Sequence, residues 1–149
     1  MTRSPFVRSL ALATSLPLLA APSLSQDCPV KLLASDASGF DEAGFAVDAA
    51  ADWALVGARF ETQLGPSAGA AYLWNRTPGG WTEAQKLLGS TQGEFDEFGR
   101  AVAMAPGLAV VGARKDDDTG NDAGAAYVFG PDPVTGSFVE LAKLVAPDG

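Results

Sequence analysis

The chain repeats itself. Residues 31–74 read KLLASDASGFDEAGFAVDAAADWALVGARFETQLGPSAGAAYLW. Residues 86–129 read KLLGSTQGEFDEFGRAVAMAPGLAVVGARKDDDTGNDAGAAYVF. Laid over each other at an offset of 55 residues, from Lys31 to Lys86, about half of the positions are identical and no gap is needed. A third copy begins at Lys143 with KLVAPDG. A period of this size marks solenoids, propellers and arrays, whose units cannot bury their apolar faces alone. The fold must therefore be a stack of like units.

Within a unit the pattern predicts four strands. In the second copy they cover residues 99–104, 108–113, 124–129 and 138–145; in the first, 44–48, 53–58, 69–74 and 81–88. LAVVGA (108–113) is an unbroken apolar run, which suits a strand buried on both faces. GAAYVF (124–129) ends in aromatic and β-branched residues. Pro106-Gly107 marks a turn. The last loop of each unit is RTPGG in one copy and the two-residue-longer PDPVTGS in the other, so the third copy starts 57 residues after the second. Length changes of this kind belong in surface loops. No stretch keeps the 3.6-residue apolar period of a helix. The expected class is all-β: two four-stranded antiparallel blades of a partial β-propeller, stacked through small residues. Residues 30–33 (VKLL) match the fourth strand of a unit and are expected to form an orphan N-terminal strand.

Composition narrows the chemistry. Net charge is −8, so nucleic acid is an unfavourable partner. Histidine is absent, which removes the usual general base and the commonest transition-metal ligand. The single cysteine, Cys28, excludes an intrachain disulfide and a cysteine-based zinc site. Cys28 is then a free thiol, or is paired with a second chain or with a cysteine beyond these residues, and the sequence leaves these open.

The N-terminus reads as a leader. Residues 1–8 are basic, residues 9–24 are apolar, and Ser23 and Ser25 flank Leu24 in a small-x-small pattern. That order predicts a secretory signal peptide over 1–25 and a secreted, periplasmic or cell-surface mature chain. Pro17 and Pro22 argue against a persistent spanning helix, and no other run is long and apolar enough to span a bilayer. Without the leader, Arg3 and Arg8 are lost and eight basic residues face 18 acidic ones. The domains then read as signal peptide 1–25, linker 26–30, repeats 31–85 and 86–142, and the start of a third at 143–149.

These motifs resemble the FG-GAP repeat, the unit of the integrin α-subunit propeller, in its bacterial secreted form. Phe98-Gly99 followed by Val102 matches the FG half. Gly112-Ala113 matches the start of GAP, and Gly124–Phe129 matches the closing strand. The resemblance implies a propeller and an extracellular adhesive role. It has departures. Ala43-Gly44 stands where FG is expected, and Arg59 and Arg114 stand where GAP has proline. The integrin calcium loop falls where this chain has DAAAD and AMAPG, which cannot wrap a cation with several carboxylates.

Four candidate sites remain. Asp116, Asp117, Asp118, Asn121 and Asp122 cluster around Gly120 and could offer calcium several oxygens. The alternative is a solvated acidic turn. The twin loop ETQLGPS has only Glu61 acidic, and the alternating ligand spacing is missing, so the turn is favoured. Asp41-Glu42 and Asp96-Glu97 recur, each after a phenylalanine (Phe40, Phe95). Adjacent strand residues point to opposite faces, so a recurring structural turn fits them better than acid–base catalysis. Trp53, Trp74 and Trp81 align with Leu108, Phe129 and Phe138, which predicts core packing rather than a sugar platform. Asn75-Arg76-Thr77 is a weak glycosylation sequon, given Pro78.

A propeller has typically four to eight blades. Two blades leave three options: part of a longer chain, self-assembly into a ring, or a marginal two-blade sandwich. The expected function is non-catalytic binding of an extracellular protein or glycan, with no certain cofactor. The rivals are part of a polysaccharide-acting propeller enzyme and a purely structural repeat.

Overall fold

The computed structural model describes residues 30–147. Eight strands run β1 Ala46–Ala50, β2 Trp53–Ala58, β3 Ala70–Thr77, β4 Gly80–Leu87, β5 Phe98–Ala105, β6 Leu108–Ala113, β7 Ala125–Pro131 and β8 Phe138–Val145. They form two separate four-stranded antiparallel meanders, β1-β2-β3-β4 (blade 1) and β5-β6-β7-β8 (blade 2). No described residue is helical. The predicted leader and Cys28 lie outside the described residues.

The repeat is kept in detail. The β3–β4 ladder slips between Leu73 and Trp74, and the β7–β8 ladder slips between the corresponding Val128 and Phe129. Left-handed backbone recurs at matched positions: Phe40 and Phe95 (φ 73° and 66°), Glu42 and Glu97 (53° and 54°), Gly44 and Gly99 (96° and 85°). Expected strand bounds shift by up to three residues: β1 lies two residues later than expected, and β3 and β7 start one residue later and end two or three later. β3 and β4 continue to Thr77 and from Gly80, because Pro78-Gly79 makes a two-residue turn instead of the expected longer loop.

The expected strand at 30–33 does not form. A strand needs a ladder partner for its N–H and C=O groups, and no described strand lies beside this one. Leu32 packs instead on Tyr72 and Trp74 of blade 1. Its repeat counterpart Leu87 packs in the cluster that holds Tyr127 and Phe129 of blade 2.

The main core lies between the blades. Leu55, Leu73 and Leu87 of blade 1 meet Phe98, Val111, Tyr127 and Phe129 of blade 2. Phe98 is fully buried, with its ring edge-on to Tyr127 at 5.3 Å and to Phe129 at 6.2 Å. The tryptophans pack as expected: Trp74 is buried, Trp81 lies against the same cluster, and the Trp53 ring lies tilted against Phe138 with centroids 5.5 Å apart. Backbone meets backbone at the joint. A Cβ on Gly57 would come within 2.8 Å of the Gly99 carbonyl carbon, and one on Gly69 within 2.7 Å of the Phe98 nitrogen. Only glycine allows this approach. Polar pins cross the joint as well. The Met104 N–H donates to Asp48 Oδ2 at 2.7 Å, and the Gln85 amide exchanges two bonds with the Phe138 backbone at 2.7 and 2.9 Å.

One expectation fails instructively. β6 is not buried on both faces: Ala109, Val111 and Ala113 are buried, but Val110 and Gly112 are only half-buried and Leu108 is exposed. No described element covers the far side of blade 2.

Candidate functional site

Two matched ion clusters anchor the loops. In blade 2 the Lys143 ammonium lies 2.8 Å from Asp116 Oδ2 and 2.8 Å from Thr91 Oγ1, and it also pairs with Asp118. The Tyr127 hydroxyl donates to Asp116 Oδ2 at 2.6 Å. In blade 1 the Lys86 ammonium lies 2.6 Å from Asp36, 3.0 Å from Glu61 and 2.7 Å from Gln63 Oε1. There the Tyr72 hydroxyl donates to Asp36 at 2.7 Å. By repeat position Lys86 matches Lys143, Tyr72 matches Tyr127, and Glu61 matches Asp116.

The electrostatics follow. Burial and the bond to Asp116 push the Tyr127 phenol up to about 12. Burial and the bond to Asp36 push Tyr72 up as well. Burial works against the Lys143 charge, but bonds to Asp116 and Asp118 outweigh it and raise the ammonium above its ordinary value. Lys86 is raised in the same way by Asp36 and Glu61. Hydrogen bonds from the lysines hold Asp36 and Asp118 low.

The candidate calcium loop, for which the sequence favours a solvated turn, is partly assembled, but around a lysine. Asp116 and Asp118 meet at Lys143, and Asp116 is buried. Asp117 and Asn121 are not drawn in, and Asp122 takes a left-handed turn, φ 53°. Among the described residues, no group of three or more Asp, Glu or Cys is placed to hold a metal. A cation does recur in both copies, and it is an ammonium group. The sequence signal was the lysine that heads each repeat (Lys31, Lys86, Lys143), which the reading of the acidic loop did not connect to it.

The recurring carboxylate pairs hold loops. Asp41 Oδ2 accepts the Ser38 N–H and Asp96 Oδ2 accepts the Gly93 N–H, each at 2.7 Å. Glu42 pairs with Arg59 at 2.7 Å; Glu97 pairs with Arg100, and with Lys115 at 3.0 Å. Burial opposes the Glu97 charge, yet Lys115 and Arg100 keep its carboxyl low. Burial raises Asp96, partly offset by the Gly93 N–H. A matched clamp also escaped sequence reading: the N–H and hydroxyl of Ser35 both donate to Glu83, and those of Ser90 to Glu140.

Phe40 and Phe95 occupy the crests of these loops, 94% and 55% exposed. The Phe95 loop is pinned to blade 1: the N–H groups of Phe95, Glu97 and Phe98 donate to the carbonyls of Pro66, Ser67 and Ala68 at 2.8, 3.1 and 2.9 Å.

Two repeated four-stranded meanders, stacked face to face through glycine contacts, define a β-propeller repeat protein. The family model of the FG-GAP repeat matches residues 29–74 and 81–129, more than half of the chain. The chain belongs to the FG-GAP repeat family. No curated protein matches it.

Proposed function

We propose that this chain is an extracellular propeller module that binds a protein or glycan partner and does not catalyse a reaction. The observation that carries this is the pair of exposed phenylalanines, Phe40 and Phe95, at equivalent loop crests and on left-handed backbone. A bulky residue with positive φ is strained, and such strain concentrates at functional sites. Exposed aromatic rings suit stacking on sugars or insertion into a partner's pocket. The recurring carboxylates support the non-catalytic half, because each is engaged by a backbone N–H or a basic side chain. The n-h-c order of residues 1–25 supports export. The test is a glycan array together with a panel of extracellular matrix proteins. Binding by the chain, lost in Phe40→Ser/Phe95→Ser with an unchanged melting temperature, is the expected result. Binding that the double variant retains in full would sink the assignment to these loops. N-terminal sequencing of the exported chain should find a start after Ser25.

A further inference from the structure

The joint between the blades can be moved along by one repeat, and both of its halves are then found unpartnered among the described residues. We infer that the outer face of blade 2 docks the loop and first strand of blade 1 of a second copy, joining chains head to tail.

The receiving half is a recess. A cavity of about 380 Å³ is lined by Arg100, Ala101, Gly112, Ala113 and Gly124, among others. A second, about 190 Å³, adjoins it over Ala103, Val110 and Ala126. Shifted back by one repeat, Gly112, Ala113 and Gly124 become Gly57, Ala58 and Gly69. Those are the residues on which Phe98 and Gly99 rest inside the chain. In blade 2 the space is open: a Cβ on Gly112 meets nothing nearer than the Ala101 Cβ at 3.4 Å. Val128 and Leu144, the counterparts of the buried Leu73 and Leu87, are half-buried and exposed.

The inserting half is also preformed. Gly44 keeps the left-handed turn of Gly99, although a Cβ there would touch nothing within 4 Å. Val47, the counterpart of Val102 at the internal joint, is 66% exposed. A recess of about 220 Å³ beside it is lined by Leu32, Ala43, Tyr72 and Trp74. The buried Trp74 indole N–H has no acceptor among the described residues.

The backbone matches too. The internal joint uses three N–H groups, of Phe95, Glu97 and Phe98, and three carbonyls, of Pro66, Ser67 and Ala68. Their counterparts are the N–H groups of Phe40, Glu42 and Ala43 and the carbonyls of Asn121, Asp122 and Ala123. None of these six is paired among the described residues. Asp122 even copies the left-handed turn of Ser67, φ 53° against 51°. One side-chain contact carries over with its roles exchanged. Inside the chain the Arg100 guanidinium lies 5.6 Å from the Phe45 ring centroid; between copies Phe45 would occupy the arginine position and Arg100 the phenylalanine position. The occupant is a second copy because this chain already carries the fitting surface, exposed and in the required conformation. Such a joint is heterologous, so it closes into a ring when the angle allows. Two to four copies would supply the four to eight blades of a propeller.

The experiment is light scattering on the purified chain in reducing buffer, with its covalent mass fixed by mass spectrometry so that N-terminal processing is counted. The expected wild-type result is a concentration-dependent mass at multiples of one chain. Gly112→Val should abolish association through the receiving face, and Val47→Glu through the inserting face. Both variants should keep the β circular dichroism of the wild type. Mixed together they retain one sound joint and should form a species of two chains. A wild type that stays at one chain mass would overturn the inference. So would association that survives both variants, or a mixture that forms nothing. Ligand binding through Phe40 and Phe95 is read separately, on chains of either mass.

Discussion

Gly57 and Gly112 occupy the same place in their repeats, in LVGA and VVGA, on paired inner strands of the same register. Among the described residues, only the first is covered by another blade. Gly57→Ala places a Cβ 2.8 Å from the Gly99 carbonyl carbon and 3.2 Å from its Cα, and closer still to its oxygen. Carbon contacts settle near 3.5–4.0 Å, so blade 2 must retreat by about 1 Å. Overpacking of this kind costs about 1–3 kcal/mol. The retreat also stretches the Asp48–Met104 and Gln85–Phe138 bonds, now 2.7–2.9 Å, each contributing about 1 kcal/mol. A loss of about 3–5 kcal/mol is expected, a large part of the ~5–15 kcal/mol that holds a domain folded. Gly112→Ala, at 3.4 Å from one methyl group, should change stability by less than about 1 kcal/mol, since the unfolded chain also loses freedom. The assay is urea unfolding at a concentration where light scattering shows single chains. If the two variants differ by less than about 1 kcal/mol, the account of the joint as a glycine-limited backbone contact is wrong.

Lys143→Met strands Asp116, which is 1% exposed, and should cost about 3–5 kcal/mol by chemical denaturation; Lys143→Met/Asp116→Leu should recover part of it. A full-strength single variant would refute the cluster's role. Alkaline pH should destabilise the chain. Tyr127 is raised to about 12 and Lys143 also lies above its ordinary value, so both stay protonated longer when folded. Their contribution is complete below about pH 10 and is lost as pH rises through the folded values. Melting temperature should therefore fall between about pH 10 and 12, less steeply in Tyr127→Phe; a flat profile would contradict this. Millimolar calcium should leave the melting temperature unchanged, because Lys143 occupies the carboxylates of the acidic loop; a rise above about 2 °C would restore the metal reading.

Much of the fold was legible in the chain alone, for a physical reason. A 55-residue repeat with apolar runs of four to six residues between Gly, Pro and Asp can only alternate strand and turn, and equal sequences fold alike. The eight strands, the two blades and the packing of Trp53, Trp74 and Trp81 follow from that. What tertiary structure decided was partnership. Residues 30–33 carry a strand-like sequence, but a ladder needs a neighbour, and Leu32 became a packing residue on blade 1. Asp116 and Asp118 read as a solvated acidic turn in preference to a calcium loop, and the ammonium that engages them arrives from Lys143, 27 and 25 residues away. VVGA and LVGA are nearly the same sequence. Whether such a strand is buried on one face or two depends on whether a second glycine-bearing strand lies against it, and that is a property of the stack rather than of the residues.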